Sequence, residues 1–304
     1  MTLSLQLDAP PASEIFGHPD GPVIVAIGGI SATHHVAAHP GNPEPGWWDE
    51  FVGPARAIDP ARCRILGFDF ITAAIGSTTT HDQADALAQL LDQLGIATVH
   101  AIVGASYGGM VALAFAERYP GRVDQLVLIS APHKSHPMTT AIRVVQRRIL
   151  RFGISTGRPA EAVALARGLG ITTYRTAAEF AERFGGDATV GESGARFPVE
   201  DYLDVCGERF AARFPIARYL ALSESLDLHR VDPTQLRLPV TIVAVEGDTL
   251  VPVWQLHQLR ALLAGAVRFE VIRSRYGHDA FLKEIETIGA IVSDALALGG
   301  IHAA

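Results

Sequence analysis

A serine, an aspartate and a histidine occur in this order in three short glycine-containing stretches of the chain. Ser106 is the centre of GASYGG, a G-x-S-x-G pattern, Asp248 lies in EGDTLV, and His278 lies in RYGHDAFL. A serine hydroxyl is a poor nucleophile unless a neighbouring base removes its proton, and that base needs an acid to orient it. These stretches therefore predict Ser106 as the nucleophile, His278 as the base and Asp248 as the orienting acid.

The residues on either side of Ser106 support this interpretation. VHAIVG before it is typical of a buried strand, and we predict a helix from Tyr107 to Arg118 after it. A sharp turn from strand to helix strains the serine and projects its hydroxyl from the sheet, and Gly104 and Gly108 make room for that turn. The motif also occurs in turns that only pack a helix on a strand, but the flanking strand and helix favour a nucleophile.

Asp248 and His278 each follow a predicted strand, TIVAVEG and VRFEVIRS respectively. An open α/β sheet has its ligand crevice at the carboxyl ends of its strands, and the order Ser, Asp, His is that of α/β hydrolases. Taken singly, each residue has an alternative interpretation. Asp248 would be part of a Gly-Asp turn, and His278 would be a polar residue at a helix N-terminus. Their joint order and placement favour catalysis.

The predicted nucleophile also needs two N–H donors to stabilise an oxyanion. One is the backbone N–H of Tyr107, the residue after the nucleophile, and Ile30 is the candidate for the other because it follows an early strand. A flexible loop is the alternative for GGISATHH, the stretch that contains Ile30.

The wider sequence alternates between strand and helix signals. Apolar runs typical of buried strands cover residues 22–29, 63–70, 99–104, 123–130 and 238–248, and residues 267–274 are a further predicted strand. Continuous apolar strands that alternate with helices indicate a parallel sheet covered on both faces. We predict an α/β-hydrolase fold with a mostly parallel central sheet and helices on both faces. Thr80 and Gln83 have the spacing of a capping box at the start of one helix.

The alternation stops between residues 135 and 228. Segments such as AIRVVQRRIL and VEDYLDVCGERFAARF are rich in Arg, Ala, Leu and Glu, and no strand-like apolar run interrupts the region. We predict that 135–228 is a helical cap, inserted into an α/β-hydrolase core formed by 1–134 and 229–304.

The composition excludes several other classes of protein. The net charge is −7 and no block is rich in Lys or Arg, so we expect no nucleic-acid partner. No signal peptide or membrane-spanning run is evident, and the widely separated Cys63 and Cys206 suit a reducing compartment, so we expect a cytoplasmic protein. His34, His35 and His39 precede a Pro-Gly pair typical of a loop, and we predict no metal site.

Several stretches resemble the homoserine O-acyltransferase family of α/β-hydrolase-fold enzymes. GASYGGMVALAFAERYP resembles its nucleophile segment, although the family more often has Gly and Met in place of Ala105 and Tyr107. ARGLGITTYRTAAEFAERFG and YLDVCGERFAARFPIARYLALSESLDLH resemble its cap helices, and GDTLVPVWQ and YGHDAFL resemble its Asp and His segments. The similarity runs from about residue 22 to the C-terminus.

The resemblance implies separate roles for the adjacent residues His278 and Asp279. His278 would be the base, whereas Asp279 would bind the ammonium group of an amino-acid acceptor. Arg167, seven residues before Tyr174, matches the arginine that grips the acceptor carboxylate, and a guanidinium presents paired donors for such a group. Tyr174 and Ser31 match positions beside the acceptor.

The implied reaction is the two-step transfer of an acetyl or succinyl group from acyl-CoA to the hydroxyl of homoserine, in methionine biosynthesis. Acyl-CoA is a co-substrate, and neither a metal nor a tightly bound cofactor is needed. The implied partners are these small molecules and a second copy of the chain, bound through the cap helices as a homodimer. The alternatives are a serine O-acyltransferase of cysteine biosynthesis, a plain esterase or thioesterase, and a non-catalytic binding protein.

The arginines of the predicted cap have more than one interpretation. Arg167 could be a surface residue of a helix, and the neighbouring Arg175 is a rival for its role. A second group could meet the phosphates of CoA, although a solvated helix face is the favoured interpretation. This group consists of Arg143, Arg147, Arg148 and Arg151.

Overall fold

A seven-stranded sheet forms the centre of the protein in a computed structural model that describes residues 10–73, 76–192 and 194–298. The strands in chain order are β1 (Ser13–Gly17), β2 (Val23–Ile27), β3 (Arg64–Phe68), β4 (Val99–Ala105), β5 (Val123–Ile129), β6 (Thr189–Gly191), β7 (Gly194–Arg196), β8 (Val240–Glu246) and β9 (Val267–Arg273). The two ends of the predicted core, 1–9 and 299–304, lie outside the described residues.

The central sheet has the order β1-β3-β2-β4-β5-β8-β9, and only the β1–β3 pair is antiparallel. All five residues of β2 are buried, with Val25 in one core cluster and Ile24 in the other, on the opposite face. A strand covered on both faces needs a continuous apolar run, as the sequence shows here. The mostly parallel sheet, with a core cluster on each face, confirms the predicted α/β-hydrolase fold. Strand β1 was not predicted, because this edge strand is partly exposed throughout.

The helices surround this sheet and build the cap. In chain order they are α1 (Thr80–Gln93), α2 (Tyr107–Arg118), α3 (Pro137–Ser155), α4 (Pro159–Tyr174), α5 (Ala177–Phe184), α6 (Pro198–Ala211), α7 (Ile216–Leu228), α8 (Val253–Leu262), α9 (Ala280–Lys283) and α10 (Ile285–Leu298). Within the described residues, none of these helices is both long enough and apolar enough to cross a lipid bilayer.

The start of α1 differs from the predicted capping box of Thr80 and Gln83. The box is formed one residue earlier, where the Thr79 hydroxyl accepts the N–H of Asp82 at 3.1 Å and the Asp82 carboxylate accepts the N–H of Thr79 at 2.7 Å. Gln83 instead bonds the backbone N–H and carbonyl of Ile71, at 2.9 and 2.8 Å. Gln83 therefore makes a tertiary contact and does not have the capping role that its spacing predicted.

Helices α3 to α7 lie between β5 and β8 in the chain and pack mainly through α3, α4 and α6. The chain leaves and re-enters the core side by side, because Lys134 and Arg230 form an antiparallel bridge. Within this mostly helical region, β6 and β7 form a small hairpin. Its strand residues are all exposed, so it lacks the apolar run that signals a buried strand.

Gly108 lies where the beginning of α2 approaches the end of β2. A Cβ atom at this position would lie 2.2 Å from the backbone carbonyl oxygen of Ile27. The N–H of Gly108 also donates to the carbonyl of Gly28 at 2.9 Å. Because both contacts are made with backbone atoms, no side-chain rotation can relieve a clash here.

We predict that Gly108→Ala lowers the free energy of unfolding by about 2–3 kcal/mol, as expected for overpacking in a rigid region. Gly191→Ala is the control, because a Cβ there meets none of the described residues within 4 Å and should change stability by less than about 0.5 kcal/mol. Chemical denaturation of both variants measures the difference. Equal stability of the two variants would contradict the close approach.

Candidate active site

Ser106 lies in the turn between β4 and α2, in a conformation that non-glycine residues rarely adopt. Its φ is 53° and its ψ is −118°. Such a positive φ is strained for a residue with a side chain and persists only where the surroundings enforce it. Here the N–H of Ser106 donates to the carbonyl of Ile129 on the neighbouring strand at 2.9 Å, and α2 begins at the next residue.

Side chains from three separate stretches meet in one line of hydrogen bonds. The Oγ of Ser106 lies 2.8 Å from Nε2 of His278, and Nδ1 of His278 lies 2.8 Å from Oδ2 of Asp248. The other carboxylate oxygen accepts the N–H groups of Leu250 and Val251, each at 2.9 Å. Because an ionised carboxylate only accepts, Nδ1 of His278 donates to it, and Nε2 is left to accept the hydroxyl proton of Ser106.

The environment of His278 sets its proton affinity. Both His278 and Asp248 are buried. Burial lowers the pKa of His278, but the negative charge and hydrogen bond of Asp248 outweigh this effect and raise the pKa above its ordinary value of 6.5. The imidazole is therefore a stronger base than a free histidine, and it lies within hydrogen-bond distance of a hydroxyl.

The backbone N–H groups of Ile30 and Tyr107 donate to no acceptor among the described residues. Ile30 lines the same cleft as Ser106, and Tyr107 follows Ser106 directly. The side chain of Tyr107 is buried, and its hydroxyl shares a hydrogen bond of 2.6 Å with Ser225. Only the backbone of Tyr107 is therefore available to a ligand, and unpaired N–H groups beside a nucleophile can stabilise an oxyanion.

Arg167 and Tyr174 both belong to α4 and line the same cleft. The guanidinium carbon of Arg167 lies 5.0 Å from the ring centroid of Tyr174 and 4.6 Å from that of Phe210. In the described part of the chain, Arg167 is held by these rings and forms no ion pair with a carboxylate. Its N–H donors are therefore free to bind an anion. The Tyr174 ring lies 6.2 Å from that of His278.

Asp279 lines the cleft beside His278, but one side of its carboxylate is already paired. Its Oδ2 lies 2.9 Å from Nε of Arg175, which also pairs with Glu179 at 3.0 Å. No described residue pairs with Oδ1 of Asp279. Arg175 is thus engaged by two carboxylates, whereas Arg167 faces none, and Asp279 keeps one oxygen for a ligand. The sequence contained no signal for the Arg175–Asp279 ion pair.

These residues converge on one cleft with a volume of about 110 Å³. That volume suits a small ligand or a small part of a larger one. The predicted site residues that line the cleft are Ile30, Ser31, Ser106, Arg167, Tyr174, His278 and Asp279. Asp248 is bonded to His278 from behind, so the structure brings the predicted residues together.

The arginines of α3 differ from the solvated face expected for them. Arg148 and Arg151 are exposed. In contrast, Arg143 lines the cleft and Arg147 is buried, and each lies 2.6 Å from an oxygen of Asp227. The expectation failed for this pair because the carboxylate that draws them inward is 84 residues from Arg143 in sequence.

The histidine-rich loop lies away from the cleft, against β1. Nδ1 of His35 lies 2.7 Å from one oxygen of Glu14, and Nε2 of His39 lies 3.0 Å from the other. The adjacent His34 pairs with Asp69 at 3.0 Å. The Glu14 contacts have no signature in the sequence, because Glu14 belongs to the unpredicted edge strand.

Two hydrogen bonds attach the end of α4 to the core loops of the site. The hydroxyl of Thr249 donates to the carbonyl of Thr173 at 2.9 Å, and the hydroxyl of Thr176 donates to the carbonyl of Arg275 at 2.6 Å. They hold the cap residues of the cleft close to the core residues. Single bonds from a hydroxyl to a distant carbonyl have no sequence signature, so these contacts could not be predicted.

We predict that the imidazole of His278 titrates above pH 6.5, and that Asp248→Asn lowers the midpoint because the anion that stabilises the imidazolium is lost. His229 is the internal control, because burial lowers its pKa to about 3 and it should remain neutral throughout. Nuclear magnetic resonance of the imidazole nitrogens measures both. A midpoint that Asp248→Asn leaves unchanged would contradict the assigned cause.

Comparison with known proteins agrees with the fold. The model of a family described as alpha/beta hydrolase fold matches residues 22–285. A homoserine O-succinyltransferase from Xanthomonas campestris pv. campestris is 46% identical over 291 residues, covering 94% of this chain and 79% of that protein. A homoserine O-acetyltransferase from Thermus thermophilus is 35% identical, covering 81% of this chain and 71% of that protein.

A solved structure has the same fold. The homoserine O-acetyltransferase from Bacillus anthracis superimposes with a TM-score of 0.86 at 18% identity, covering 93% of this chain and 91% of that one. At this identity the likeness concerns the fold alone, whereas the relatives of higher identity define the family. The chain belongs to the homoserine O-acyltransferase family of α/β-hydrolase-fold enzymes and is an acyltransferase.

Proposed function

We propose that this enzyme transfers an acyl group from acyl-CoA to the side-chain hydroxyl of homoserine, as a step of methionine biosynthesis. The observation that carries the proposal is that Asp279 and Arg167, of opposite charge, line the same cleft as Ser106. An amino-acid acceptor needs an anion for its ammonium group and a cation for its carboxylate. An esterase that uses water needs neither. The names of the two relatives described above support homoserine as the acceptor.

In the proposed first step, His278 removes the proton of Ser106 while its Oγ attacks the thioester carbon of acyl-CoA. The N–H groups of Ile30 and Tyr107 donate hydrogen bonds to the resulting oxyanion. When the C–S bond breaks, CoA leaves as a thiol with the proton from His278, and the serine carries the acyl group. Asp248 stabilises the imidazolium, which is consistent with the raised pKa of His278.

In the second step, Asp279 binds the ammonium group of the acceptor and Arg167 binds its carboxylate, so that its hydroxyl faces the acyl-serine. His278 removes the hydroxyl proton and returns it to the serine as the acyl–oxygen bond breaks. Ser31 and Tyr174 complete the acceptor side of the cleft. CoA leaves before the acceptor reacts, so the kinetics are of the ping-pong type. The scheme uses acyl-CoA as co-substrate and requires neither a metal nor a tightly bound cofactor.

The expected cytoplasmic location is part of the same proposal. Cys63 and Cys206 are both free thiols, which suits a reducing compartment. The use of acyl-CoA and a free amino acid as substrates supports the same location.

We also propose a homodimer that forms through the cap helices. Phe152, Leu165 and Val205, on α3, α4 and α6, are exposed large apolar side chains. Exposed apolar surface of this kind is typical of protein–protein contacts. The family resemblance of the cap segments supports the same interface.

We predict that the wild-type enzyme releases CoA from acetyl-CoA or succinyl-CoA faster with homoserine than with serine or water. Ser106→Ala should lose both transfer and the covalent acyl adduct, because the attacking oxygen is absent. Thiol release and intact-protein mass spectrometry, for each donor and acceptor, measure these effects. One methylene is worth about 1–3 kcal/mol, so serine should be distinguishable from homoserine.

Other results of this comparison of donors and acceptors would indicate one of the alternative functions. Serine as the best acceptor indicates a serine O-acyltransferase, and water as the best acceptor indicates an esterase or thioesterase. Near-wild-type turnover in Ser106→Ala rules out the acyl-serine mechanism.

We predict that His278→Ala and Asp279→Asn fail at different steps. His278→Ala should lose the rapid burst of CoA release, because no group activates Ser106. Asp279→Asn should keep the burst and lose about ten- to a hundredfold in acceptor kcat/KM, the usual range for a hydrogen bond to a charged group. Stopped-flow thiol release, compared with steady-state transfer, separates the two steps.

The control for this comparison is Arg175→Gln, which removes the ion pair to Asp279 but keeps the carboxylate. It should lower acceptor kcat/KM less than Asp279→Asn does. If Asp279→Asn loses the burst as completely as His278→Ala, then Asp279 supports the base and does not bind the acceptor.

We predict that Leu165→Asp converts the dimer into a monomer, because a charge in an apolar interface is costly to desolvate. The side chain of Leu165, on α4, is 66% exposed. The control is Leu262→Asp on α8, which lies outside the cap segment and where the side chain is 40% exposed. Light scattering coupled to size-exclusion chromatography measures both masses. A wild-type monomer, or equal masses for the two variants, would contradict the cap interface.

A further inference from the structure

Three side chains of metal-ligating types meet beside the edge of the sheet, away from the cleft. Glu14 belongs to β1, and His35 and His39 belong to the loop after β2. The two oxygens of Glu14 lie 2.7 Å from Nδ1 of His35 and 3.0 Å from Nε2 of His39. All three residues are partly buried, and one ligand atom from each lies within 4.8 Å of the others. In the described part of the chain, no other group of three His, Cys, Asp or Glu side chains converges in this way.

The ring of His35 is oriented by a backbone carbonyl. Its Nε2 lies 2.6 Å from the carbonyl oxygen of Glu44 and donates to it, so Nδ1 of the neutral ring carries a lone pair. A lone pair that faces the Glu14 carboxylate is repelled unless a cation, either a proton or a metal ion, lies between them. A ring N–H bonded to a carbonyl on the far side is also the usual arrangement of a histidine that binds a metal.

A proton between His35 and Glu14 does not satisfy His39. Its Nε2 is buried and, although it lies 3.0 Å from Glu14, it is not aligned for a hydrogen bond with any described residue. The His39 ring stacks on Phe16 of β1, with centroids 4.3 Å apart. Metal binding at Nε2 would place the ring proton on Nδ1, which now accepts the N–H of Gly41 at 3.2 Å. Gly41 is exposed, so water can replace that contact.

We propose that Glu14, His35 and His39 bind one Zn²⁺ ion. Two imidazole nitrogens and a carboxylate form a ligand set typical of zinc. Bonds of about 2.0–2.2 Å place tetrahedral ligands about 3.3–3.5 Å apart, so each donor pair has to separate by less than about 1 Å. The fourth ligand would be water or the side-chain amide of Asn42, which lies 3.1 Å from Nδ1 of His35. The loop histidines alone predicted no metal site, because Glu14 lies on a strand that the sequence does not reveal.

The proposed ion has a structural role. It would fasten the loop after β2 to the edge strand, and the same loop carries Ile30 and Ser31 of the cleft. Further along the loop, Nε1 of Trp48 donates to the carbonyl of Phe281 at 3.0 Å, close to His278. The ion would therefore stabilise the loop between its ends and take no part in the chemistry, so this inference does not rest on the proposed function.

Titration of the metal-free, tag-free protein with Zn²⁺ tests the inference. Calorimetry should find one ion per chain, and free Zn²⁺ at about a hundredfold above Kd should raise Tm by about 5 °C. His39→Ala and Glu14→Gln should each weaken binding by at least about a hundredfold, because even a residue that only supports a ligand contributes ten- to a hundredfold. His34→Ala is the control and should bind like the wild type, because His34 pairs with Asp69 outside the site.

The absorption spectrum of the Co²⁺ form checks the ligands without any variant. Coordination by nitrogen and oxygen should give visible bands and no thiolate charge-transfer band. If the wild type binds neither Zn²⁺ nor Co²⁺, the cluster is held by hydrogen bonds alone and the inference is wrong. It is also wrong if His39→Ala and Glu14→Gln bind as tightly as the wild type, or if the spectrum shows coordination by Cys206. The wild-type stoichiometry and spectrum remain decisive even if a variant does not fold.

Discussion

The hydrogen bond between Asp248 and His278 is the interaction on which the rest of the site depends. It fixes the imidazole so that Nε2 faces Ser106, and it raises the pKa of a base that burial alone would weaken. The sheet makes this bond possible, because β4, β8 and β9 run parallel and their carboxyl ends lie at one edge. The three residues of the site follow those three strands. Ser106 and His278, which are 172 residues apart in the chain, are therefore joined by a hydrogen bond.

The cap helices contribute ion pairs in which arginines outnumber carboxylates. Two carboxylates there each face two arginines: Glu179 faces Arg175 and Arg183, and Asp227 on α7 faces Arg143 and Arg147. The cleft consequently carries more positive than negative charge on its cap side. Asp279 from the core supplies negative charge at the same cleft, and an amino acid with both charges can bridge the two. In our proposal, the division of labour between cap and core follows from this distribution.

Sequence patterns predicted the parts of the structure that local chemistry determines. Continuous apolar runs identified the parallel strands β2, β3, β4, β5 and β8, and G-x-S-x-G between a strand and a helix located the strained turn at Ser106. The remainder depends on contacts between distant residues. Arg143 turns inward because Asp227 meets it, Gln83 leaves its predicted cap role for a backbone contact, and the exposed hairpin near Val190 has no buried face to leave a pattern. Such features follow from tertiary packing and not from spacing.

The most direct test of the account is the fate of the isolated acyl-enzyme. The wild-type protein is acylated at Ser106, freed of donor by rapid desalting, and mixed with homoserine or with buffer alone, and the decay of the acyl adduct is followed by mass spectrometry. If Asp279 and Arg167 hold an amino-acid acceptor against the acyl-serine, homoserine should discharge the adduct much faster than water and should itself become acylated. If buffer alone discharges the adduct as fast as homoserine, the site is that of a hydrolase, and the proposed acyl transfer is wrong.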